Sequence, residues 1–272
     1  MKVQKPDLFQ KFSSILTLLS LFSLCLTPII WLFFARNIWR WYVMLGFTLA
    51  LAVPAIWFVT QRIVEQFRAD SATRLFYETG NLNYLGKAKI AWNSFIKHVG
   101  FPRVTPNSFL LKAWSEAAGI FYQEYVITSN VEDLATALVL IQQATASTPR
   151  DSAELSNRLN KLGVCLRAWY QYSGELSALD RSVDVLHESL SLNSTDVEET
   201  AKSLSDLGVS LIQRYRKLGQ TIALTNAVQN SEKAAELLPT DSTWSGYVWH
   251  NVGSVLFIKY NSTGILDDIN LA

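Results

Sequence analysis

The stretch "LGVSLIQRYRKLG" at residues 207–219 closely resembles the stretch "LGVCLRAWYQYSG" at residues 162–174. In each, leucine and glycine open a run of apolar residues at helical spacing, and a second glycine closes the run. The two stretches lie 45 residues apart. One such helix cannot bury its apolar face alone, so a copy at a fixed distance predicts an array of stacked units.

The 45-residue spacing holds at four kinds of position over three copies. They are Asp151, Asp196 and Asp241; Gly163, Gly208 and Gly253; Tyr170, Tyr215 and Tyr260; and Gly174, Gly219 and Gly264. A weaker copy precedes them, and residues 77–88 resemble residues 170–182. The predicted units are 105–150, 151–195, 196–240 and an incomplete 241–272, after connecting helices with a degenerate first repeat at 62–104. A fixed period of this kind indicates a helical solenoid.

The sequence of each unit predicts two helices, and residues 196–240 illustrate the pattern. Asp196 can cap the first helix, and Gly219 ends it. A second helix is expected from about residue 221 to 238, because Pro239 then interrupts the pattern. No stretch alternates convincingly with a period of two, so the predicted fold class is all-α.

These units resemble the tetratricopeptide (TPR) repeat. Leu207 and Gly208 match the Leu-Gly pair of its first helix, Ala227 and Ala234 match two positions in its second helix, and Pro239 matches the proline after that helix. The same three positions hold Ser182, Ser189 and Ser194 in the preceding unit, and Ala137, Ala144 and Pro149 before that. Small residues recur where two helices approach closely, so Gly208 is expected at their crossing.

The period departs from the TPR pattern of about 34 residues. Each unit here has 45 residues, and the residues it has beyond the TPR length lengthen its first helix by close to three turns, at about 3.6 residues per turn. Because this is nearly a whole number of turns, the apolar face of the longer helix keeps its direction. Over residues 105–272 the pattern is similar to the long-helix arrays that precede the peptidase domain of bacterial CHAT proteins. This resemblance implies recognition of a partner. It implies no protease activity, because the peptidase domain itself is not matched.

Two uncharged apolar runs near the N-terminus predict a membrane anchor at residues 1–61. No Asp, Glu, Lys or Arg occurs from residue 12 to 35 or from residue 41 to 61. Each run is about the ~20 residues that cross a bilayer as a helix. We predict a transmembrane hairpin with helices near residues 14–34 and 41–60, joined by the turn "RNIWR". Proline in each run is tolerated in a membrane helix.

A signal peptide is the alternative for the first run, but the run is too long and a second span follows at once. A lipoprotein anchor at Cys25 lacks the usual small residue before the cysteine. Basic residues set the orientation. Six flank the outer ends of the hairpin (Lys2, Lys5, Lys11, Arg62, Arg68 and Arg74), and two lie in the turn (Arg36 and Arg40). Both termini and the repeat domain are therefore expected in the cytoplasm.

Charge and cysteine content exclude several classes of function. From residue 61 onwards the chain has 19 basic and 22 acidic residues, which gives no electrostatic footprint for nucleic acid. Two cysteines, Cys25 and Cys165, make no disulfide framework. Cys165 and His187 lie on the two predicted helices of one unit, where a Cys–His nucleophile is conceivable. The residues 45 and 90 positions after Cys165 are serine and valine, however, which indicates a packing position.

No histidine pair has metal-ligand spacing, and no glycine-rich phosphate loop occurs. We therefore predict no enzyme, no cofactor and no metal site. In TPR arrays the first helix of each unit lines a concave groove, and the resemblance maps that groove onto this chain. Its predicted residues are Lys112, Tyr122, Gln123, Asn157, Asn160, Arg167, Lys202, Ser205, Gln213, Tyr247 and His250. Such a groove suits an acidic or C-terminal carboxylate segment of a partner, and the alternative is an ordinary solvated helix face.

Three functional hypotheses follow. The first is a membrane-anchored TPR-like scaffold that binds a protein partner at the cytoplasmic surface. The second is the sensing part of a longer CHAT-type peptidase or signalling protein. The third, a membrane enzyme, lacks ionisable groups in the spans. The incomplete last unit further predicts partly uncovered residues that more chain, a second copy or the partner would complete. These residues are Val248, Trp249, Val252, Val255, Leu256 and Ile258.

Overall fold

The computed structural model describes residues 38–99, 108–192 and 196–264. All regular secondary structure in these ranges is α-helical, which confirms the predicted fold class. The chain divides into two compact units, Met1–Val104 and Thr105–Ala272. The predicted first membrane helix, residues 14–34, lies outside the described residues.

Unit one contains α1, Ile38–Thr79, and α2, Leu82–Val99. The predicted helix at 41–60 therefore needs correction, because α1 begins within the predicted turn and runs on to Thr79. Nothing between Gln61 and Thr79 interrupts a helix, and the chain turns only at Gly80, whose φ is +64°. The continuation also gains tertiary contacts, since α2 folds back along α1.

The seam between α1 and α2 is aromatic. The buried Trp92 indole donates a hydrogen bond to Thr73 Oγ1 at 2.9 Å. Phe95 packs against Trp92 at 86° with ring centroids 5.6 Å apart, an edge-to-face arrangement. Closer to the middle of α1, Ser94 Oγ of α2 donates a hydrogen bond to Glu65 Oε1 of α1 at 2.9 Å. This seam packs the latter half of α1 against α2.

Among the described residues, α1 is the one helix long and apolar enough to cross a membrane, in its segment Tyr42–Thr79. None of its most apolar 18-residue stretch is buried within the protein. A helix that is apolar on all sides needs lipid or another helix around it. The two-helix membrane hairpin remains a prediction, because one of its helices is not described.

Unit two consists of helices that pack in antiparallel pairs. They are α3 (Ser108–Thr128), α4 (Val131–Ala146), α5 (Glu154–Ser173), α6 (Leu176–Ser191), α7 (Val197–Leu218), α8 (Thr221–Leu237) and α9 (Ser245–Thr263). α3 packs with α4, α5 with α6, and α7 with α8, and each pair packs on the next. α9 packs on both α7 and α8. We call α3, α5, α7 and α9 the first helices.

Three first helices end in the same way. Gly174, Gly219 and Gly264 follow α5, α7 and α9 with φ of +73°, +69° and +70°. The N–H of each glycine donates to the carbonyl of the tyrosine four residues earlier. Only glycine adopts this left-handed cap at no steric cost, so the helix end predicted at Gly219 is confirmed.

The starts of these helices differ more. Asp196 caps α7 as predicted, because its Oδ1 accepts a hydrogen bond from the backbone N–H of Glu199 at 3.2 Å. Its counterparts Asp151 and Asp241 lie in turns, and α5 and α9 begin later in the chain. The same residue type at the same spacing therefore makes a cap in one pair only.

Small residues lie where the paired helices cross. Ala137, Ala144, Ser182, Ser189, Ala227 and Ala234 are all buried. A Cβ on Gly163 would come within 2.5 Å of Leu186 Cγ. A Cβ on Gly208 would meet Ser231 Oγ at 2.5 Å and the Ala227 carbonyl at 3.2 Å. The close crossing predicted at Gly208 is confirmed.

The expectation of uncovered residues on α9 is wrong for five of the six. Val248, Val252, Val255, Leu256 and Ile258 are buried in one cluster with apolar residues of α7 and α8. Only Trp249 is exposed, by 46%. The stripe is buried because α9 turns it towards α7 and α8, on which it packs.

Candidate functional site

Polar side chains in unit two converge on one carboxylate, that of Asp206 in α7. Asp206 is only 1% exposed, and it lies between Leu204 and Leu207 on a helix that packs against its neighbours. A carboxylate at that depth is costly unless it is paired and hydrogen-bonded. Its contacts therefore decide whether the position is structural or reactive.

Side chains from two neighbouring helices satisfy both oxygens of Asp206. From α5, Arg167 Nη2 donates to Oδ1 at 3.2 Å and Asn160 Nδ2 donates to Oδ2 at 3.1 Å. From α9, the Tyr247 hydroxyl donates to Oδ1 at 2.5 Å, and Asn251 Nδ2 donates to the same oxygen at 3.5 Å. These five residues, which we call the Asp206 network, join three successive first helices.

Electrostatics hold the Asp206 network in fixed charge states. Burial alone would lower the pKa of Arg167, but Asp206 and nearby tyrosines hold it above its ordinary value. Burial, together with the Asp206 carboxylate, raises the pKa of Tyr247 well above its ordinary value. Burial also raises the pKa of Tyr122, on α3, to about 12. These shifts keep the Arg167 guanidinium charged and the phenols of Tyr247 and Tyr122 neutral at neutral pH.

A second polar contact lies beside this network. Lys202 Nζ is 3.0 Å from Glu199 Oε1 and 3.7 Å from the centre of the Trp244 ring, a cation–π geometry. Trp244 in turn lies edge-on to Tyr247, with centroids 6.3 Å apart. The ammonium of Lys202 is therefore engaged within unit two.

The residues predicted to line a groove divide by burial. Asn160, Arg167, Lys202 and Ser205 are buried. Tyr122, Gln123, Asn157 and Gln213 are half-buried, and Lys112 and His250 are exposed. Tyr247 exposes 36% of its surface, although its hydroxyl is bonded to the buried Asp206. The expectation of an open groove is thus corrected at the four buried positions. The first helices pack side by side here, so these polar side chains bond to neighbouring elements or to their own helix.

The Cys165 thiol makes no nucleophilic site. Cys165 is 3% exposed, and burial raises its pKa to about 12. The thiolate is the reactive form of cysteine, so this thiol is inert at neutral pH. His187 is exposed on α6. The part of the chain that the structure describes also contains no group of three side chains suited to a metal ion.

Unit one contains a groove of about 550 Å³ between α1 and α2. Phe67, Leu75 and Ile90 give it apolar walls, and Arg68 and Lys87 lie along it. Its lining includes no cysteine or histidine, so it offers no nucleophile–base pair of that kind.

Asp206, the centre of the network, and its partner Asn251 are not among the residues predicted from the sequence. One signal was available. Asp206 is a lone charge between two core leucines, and the residue 45 positions later is Asn251, also polar. A polar residue that recurs within a buried stripe indicates a buried hydrogen bond, because an unpaired group there would be costly.

The fold defines an all-helical protein whose second unit is an array of packed helix pairs. No protein-family model and no curated protein matches the sequence. Solved structures resemble it at low identity. A crystal structure of BtubC (BKLC) from P. vanneervenii has 14% identity and a TM-score of 0.48, covering 79% of this chain and 87% of that chain.

Two further similar structures are a filament and a designed helical repeat protein. The DHF58 filament has 16% identity and a TM-score of 0.38, covering 73% of this chain and 98% of that chain. The de novo designed helical repeat protein DHR64 has 17% identity and a TM-score of 0.36, covering 71% and 97%. No function follows from likeness at these values, and the resemblance to CHAT-associated arrays stays a prediction.

Proposed function

We propose that this chain is a membrane-anchored, TPR-like helical scaffold whose second unit binds a protein partner at the cytoplasmic surface of the membrane. The observation that carries this proposal is the division of polar groups in unit two. Several buried polar side chains of the first helices bond to one another in the Asp206 network, whereas Lys112 and His250 face the surface, where they can contact a partner.

The anchoring part of the proposal rests on α1. Its apolar segment exposes side chains such as Tyr42, Phe47 and Trp57 on several sides. Exposed apolar area of that extent is unfavourable in water and favourable in lipid. The excess of basic residues beside the outer ends of the predicted hairpin favours a cytoplasmic repeat domain.

The chemistry of the partner follows from the exposed side chains of the first helices. Lys112 on α3 and His250 on α9 supply donors, and Tyr247 adds a partly exposed aromatic ring beside Trp244. Hydrogen-bond donors on two first helices, together with an aromatic surface on one of them, suit an extended peptide with acidic side chains or a terminal carboxylate.

A photo-reactive amino acid placed at Lys112 in the full chain, in its native membrane, tests this function. The matched control replaces Lys233, an exposed lysine on α8, which is a second helix. We expect irradiation to give an adduct of one defined mass from position 112 and not from position 233. Lys112→Glu should reduce co-purification of the captured protein with the full chain. The same adducts from both positions, or none, would contradict the proposal.

A reporter that is active only outside the cytoplasm, fused after Ala272, tests the orientation separately. We expect no reporter activity, because the basic flanks keep this end inside. Strong activity would place unit two on the opposite side of the membrane and would limit its partners to that side.

A further inference from the structure

The groove between α1 and α2 combines exposed apolar walls with two cationic side chains. Phe67 of α1 and Ile90 of α2, on opposite walls, are each 72% exposed. Next to them lie Arg68 and Lys87, which are also exposed. Lys87 Nζ is 5.3 Å from the centre of the Tyr84 ring, another residue of the lining. Large apolar side chains that are exposed together in a groove mark a binding site or a membrane contact.

The floor of this groove consists of small residues. Ala72 of α1 and Ala91 of α2 line it, so space remains between the two helices. The lining carries a single carboxylate, that of Glu65, and this group accepts the hydrogen bond from Ser94 across the seam. Two cations and one carboxylate give the lining a positive charge, which suits an anionic ligand with an apolar part.

α1 places the groove directly beyond its apolar segment. The uncharged run ends at Gln61, and Arg68 lies seven residues later, about 10 Å further along the helix. The headgroup region extends about 5–8 Å beyond the hydrocarbon core on each side of a bilayer. Side chains of a helix tilt towards its N-terminus, which in α1 is the membrane side. We therefore expect the Arg68 guanidinium to reach the level of the lipid phosphates.

The charge of the chain is divided in the same sense. Residues 62–99 carry six basic and three acidic side chains, whereas residues 105–272 carry twelve basic and nineteen acidic ones. Basic segments next to a spanning helix are attracted to anionic lipids, and this attraction falls off within a Debye length of about 8–10 Å. The excess of positive charge thus lies in the unit that contains the apolar segment, close enough to act on lipid.

We propose that the groove between α1 and α2 binds the headgroup of an anionic phospholipid from the leaflet next to unit one. The phosphate lies at Arg68, and the glycerol end of the lipid lies against Phe67 and Ile90. Lys87 attracts the negative charge from the outer end of the groove. This inference rests on the proposed membrane anchor in α1, but it needs neither a protein partner nor a particular side of the membrane.

Native mass spectrometry of the full chain, purified in mild detergent with equal amounts of phosphatidylglycerol and phosphatidylcholine, tests this site. The chain should retain the anionic lipid about fivefold more than the zwitterionic one, because charged donors bind phosphate strongly. Arg68→Gln with Lys87→Gln should abolish this preference. The matched control, Arg74→Gln with Lys97→Gln, removes the same charge from exposed positions of the same two helices outside the groove and should keep it.

A second set of variants separates the groove from its charge. Ala91→Phe leaves every charge in place but fills the space above the floor, so it should lower the preference as far as removal of both cations does. Arg68→Lys with Lys87→Arg keeps both charges and should retain most of the preference. Circular dichroism in the same detergent checks that each variant keeps its helix content. Excess glycerol phosphate should not displace the lipid, because it lacks the acyl chains.

Four outcomes would overturn the proposal. The first is equal retention of both lipids by the unmodified chain. The second is an equal loss of preference in the groove pair and in the control pair, which indicates general attraction to the surface. The third is an unchanged preference in Ala91→Phe, which places the lipid outside the groove, and the fourth is displacement by glycerol phosphate, which indicates a soluble ligand.

These outcomes are distinct from failure of the proposed function. Equal retention of both lipids would leave the membrane anchor standing, whereas retention of neither lipid would contradict the anchor as well. The photo-adduct at position 112 depends on unit two and is unaffected by any of these variants, so lipid selectivity and partner binding fail or stand separately.

Discussion

Gly208 and Gly253 lie 45 residues apart, in α7 and α9, two helices that end in the same left-handed glycine cap. A side chain at Gly208 would clash with α8, whereas a Cβ at Gly253 would meet none of the described residues within 4 Å. The local sequence makes the two helices alike. The cover over each helix depends on the elements that come after it, and this is a property of the array.

The same contrast holds along the rest of the two helices. The inner faces of α7 and α9 share one apolar cluster, which also includes residues of α8. Leu204 of α7 belongs to this buried cluster, whereas its counterpart on α9, Trp249, is exposed. A periodic apolar pattern therefore predicts which face of a helix packs against the preceding pair. It does not predict whether the residues at the border of that face are buried.

The largest expected effect comes from detaching α9 from α7. Asp206→Ala removes the acceptor shared by Arg167, Tyr247 and Asn251 and leaves a buried guanidinium without its carboxylate. We expect a loss of about 3–5 kcal/mol in the free energy of unfolding, because the unpaired charge stays buried. Urea unfolding of the full chain in mild detergent, followed by circular dichroism, measures it.

Asp180→Ala is the matched control for this change. Asp180 also pairs with an arginine of the array, Arg214, at 3.4 Å, but both side chains are at least one-third exposed. A surface pair is worth only about 0–1 kcal/mol. Equal losses for Asp206→Ala and Asp180→Ala would show that the Asp206 network does not fix α9.

The next effect compares the two glycines directly. Gly208→Ala should destabilise by about 1–3 kcal/mol, because the new Cβ forces Ser231 and the α8 backbone to move. Gly253→Ala should instead stabilise by up to about 1 kcal/mol, because it meets open space and alanine favours helix. The measurement is thermal unfolding at a concentration where scattering shows single chains. The same sign for both variants would contradict the contrast between α7 and α9.

A smaller effect is expected from the titration of Tyr122, which lies near the Asp206 network. Tyr122 lies on α3, and burial raises its pKa to about 12 from an ordinary value near 10. Folding therefore favours the neutral phenol, so its contribution is complete below about pH 10 and is lost as pH rises towards 12. Tyr122→Phe should remove this part of the alkaline loss of stability. The free energy of unfolding of both proteins at pH 9, 10 and 11 tests it, and identical slopes would contradict it.

The sequence was informative where a local rule governs the structure. The cap at Gly219, the cap at Asp196 and the crossing at Gly208 each follow from the conformation or size of one residue. The burial of Arg167 and Lys202 did not follow, because a helix pattern shows which face carries a cation but not how near the next helix lies. The extent of α1 was missed for a related reason, since hydropathy marks where a membrane segment ends and not where its helix ends.

The smallest expected effect concerns Ser231, the residue that lies over Gly208. Its Oγ is fully buried and has no hydrogen-bond partner among the described residues. A buried hydroxyl without a partner keeps its desolvation cost, so Ser231→Ala should be neutral or stabilise by up to about 1 kcal/mol.

Ser231→Ala also tests which atom makes Gly208 intolerant of a side chain. The nearest contact of a new Cβ at position 208 is Ser231 Oγ, at 2.5 Å, and the next is the backbone carbonyl of Ala227. If the hydroxyl is the main obstacle, the double variant Gly208→Ala with Ser231→Ala should recover at least half of the stability that Gly208→Ala loses. A double-mutant cycle on unfolding free energies measures this coupling. Strictly additive changes would mean that the α8 backbone, and not the serine, keeps the crossing closed.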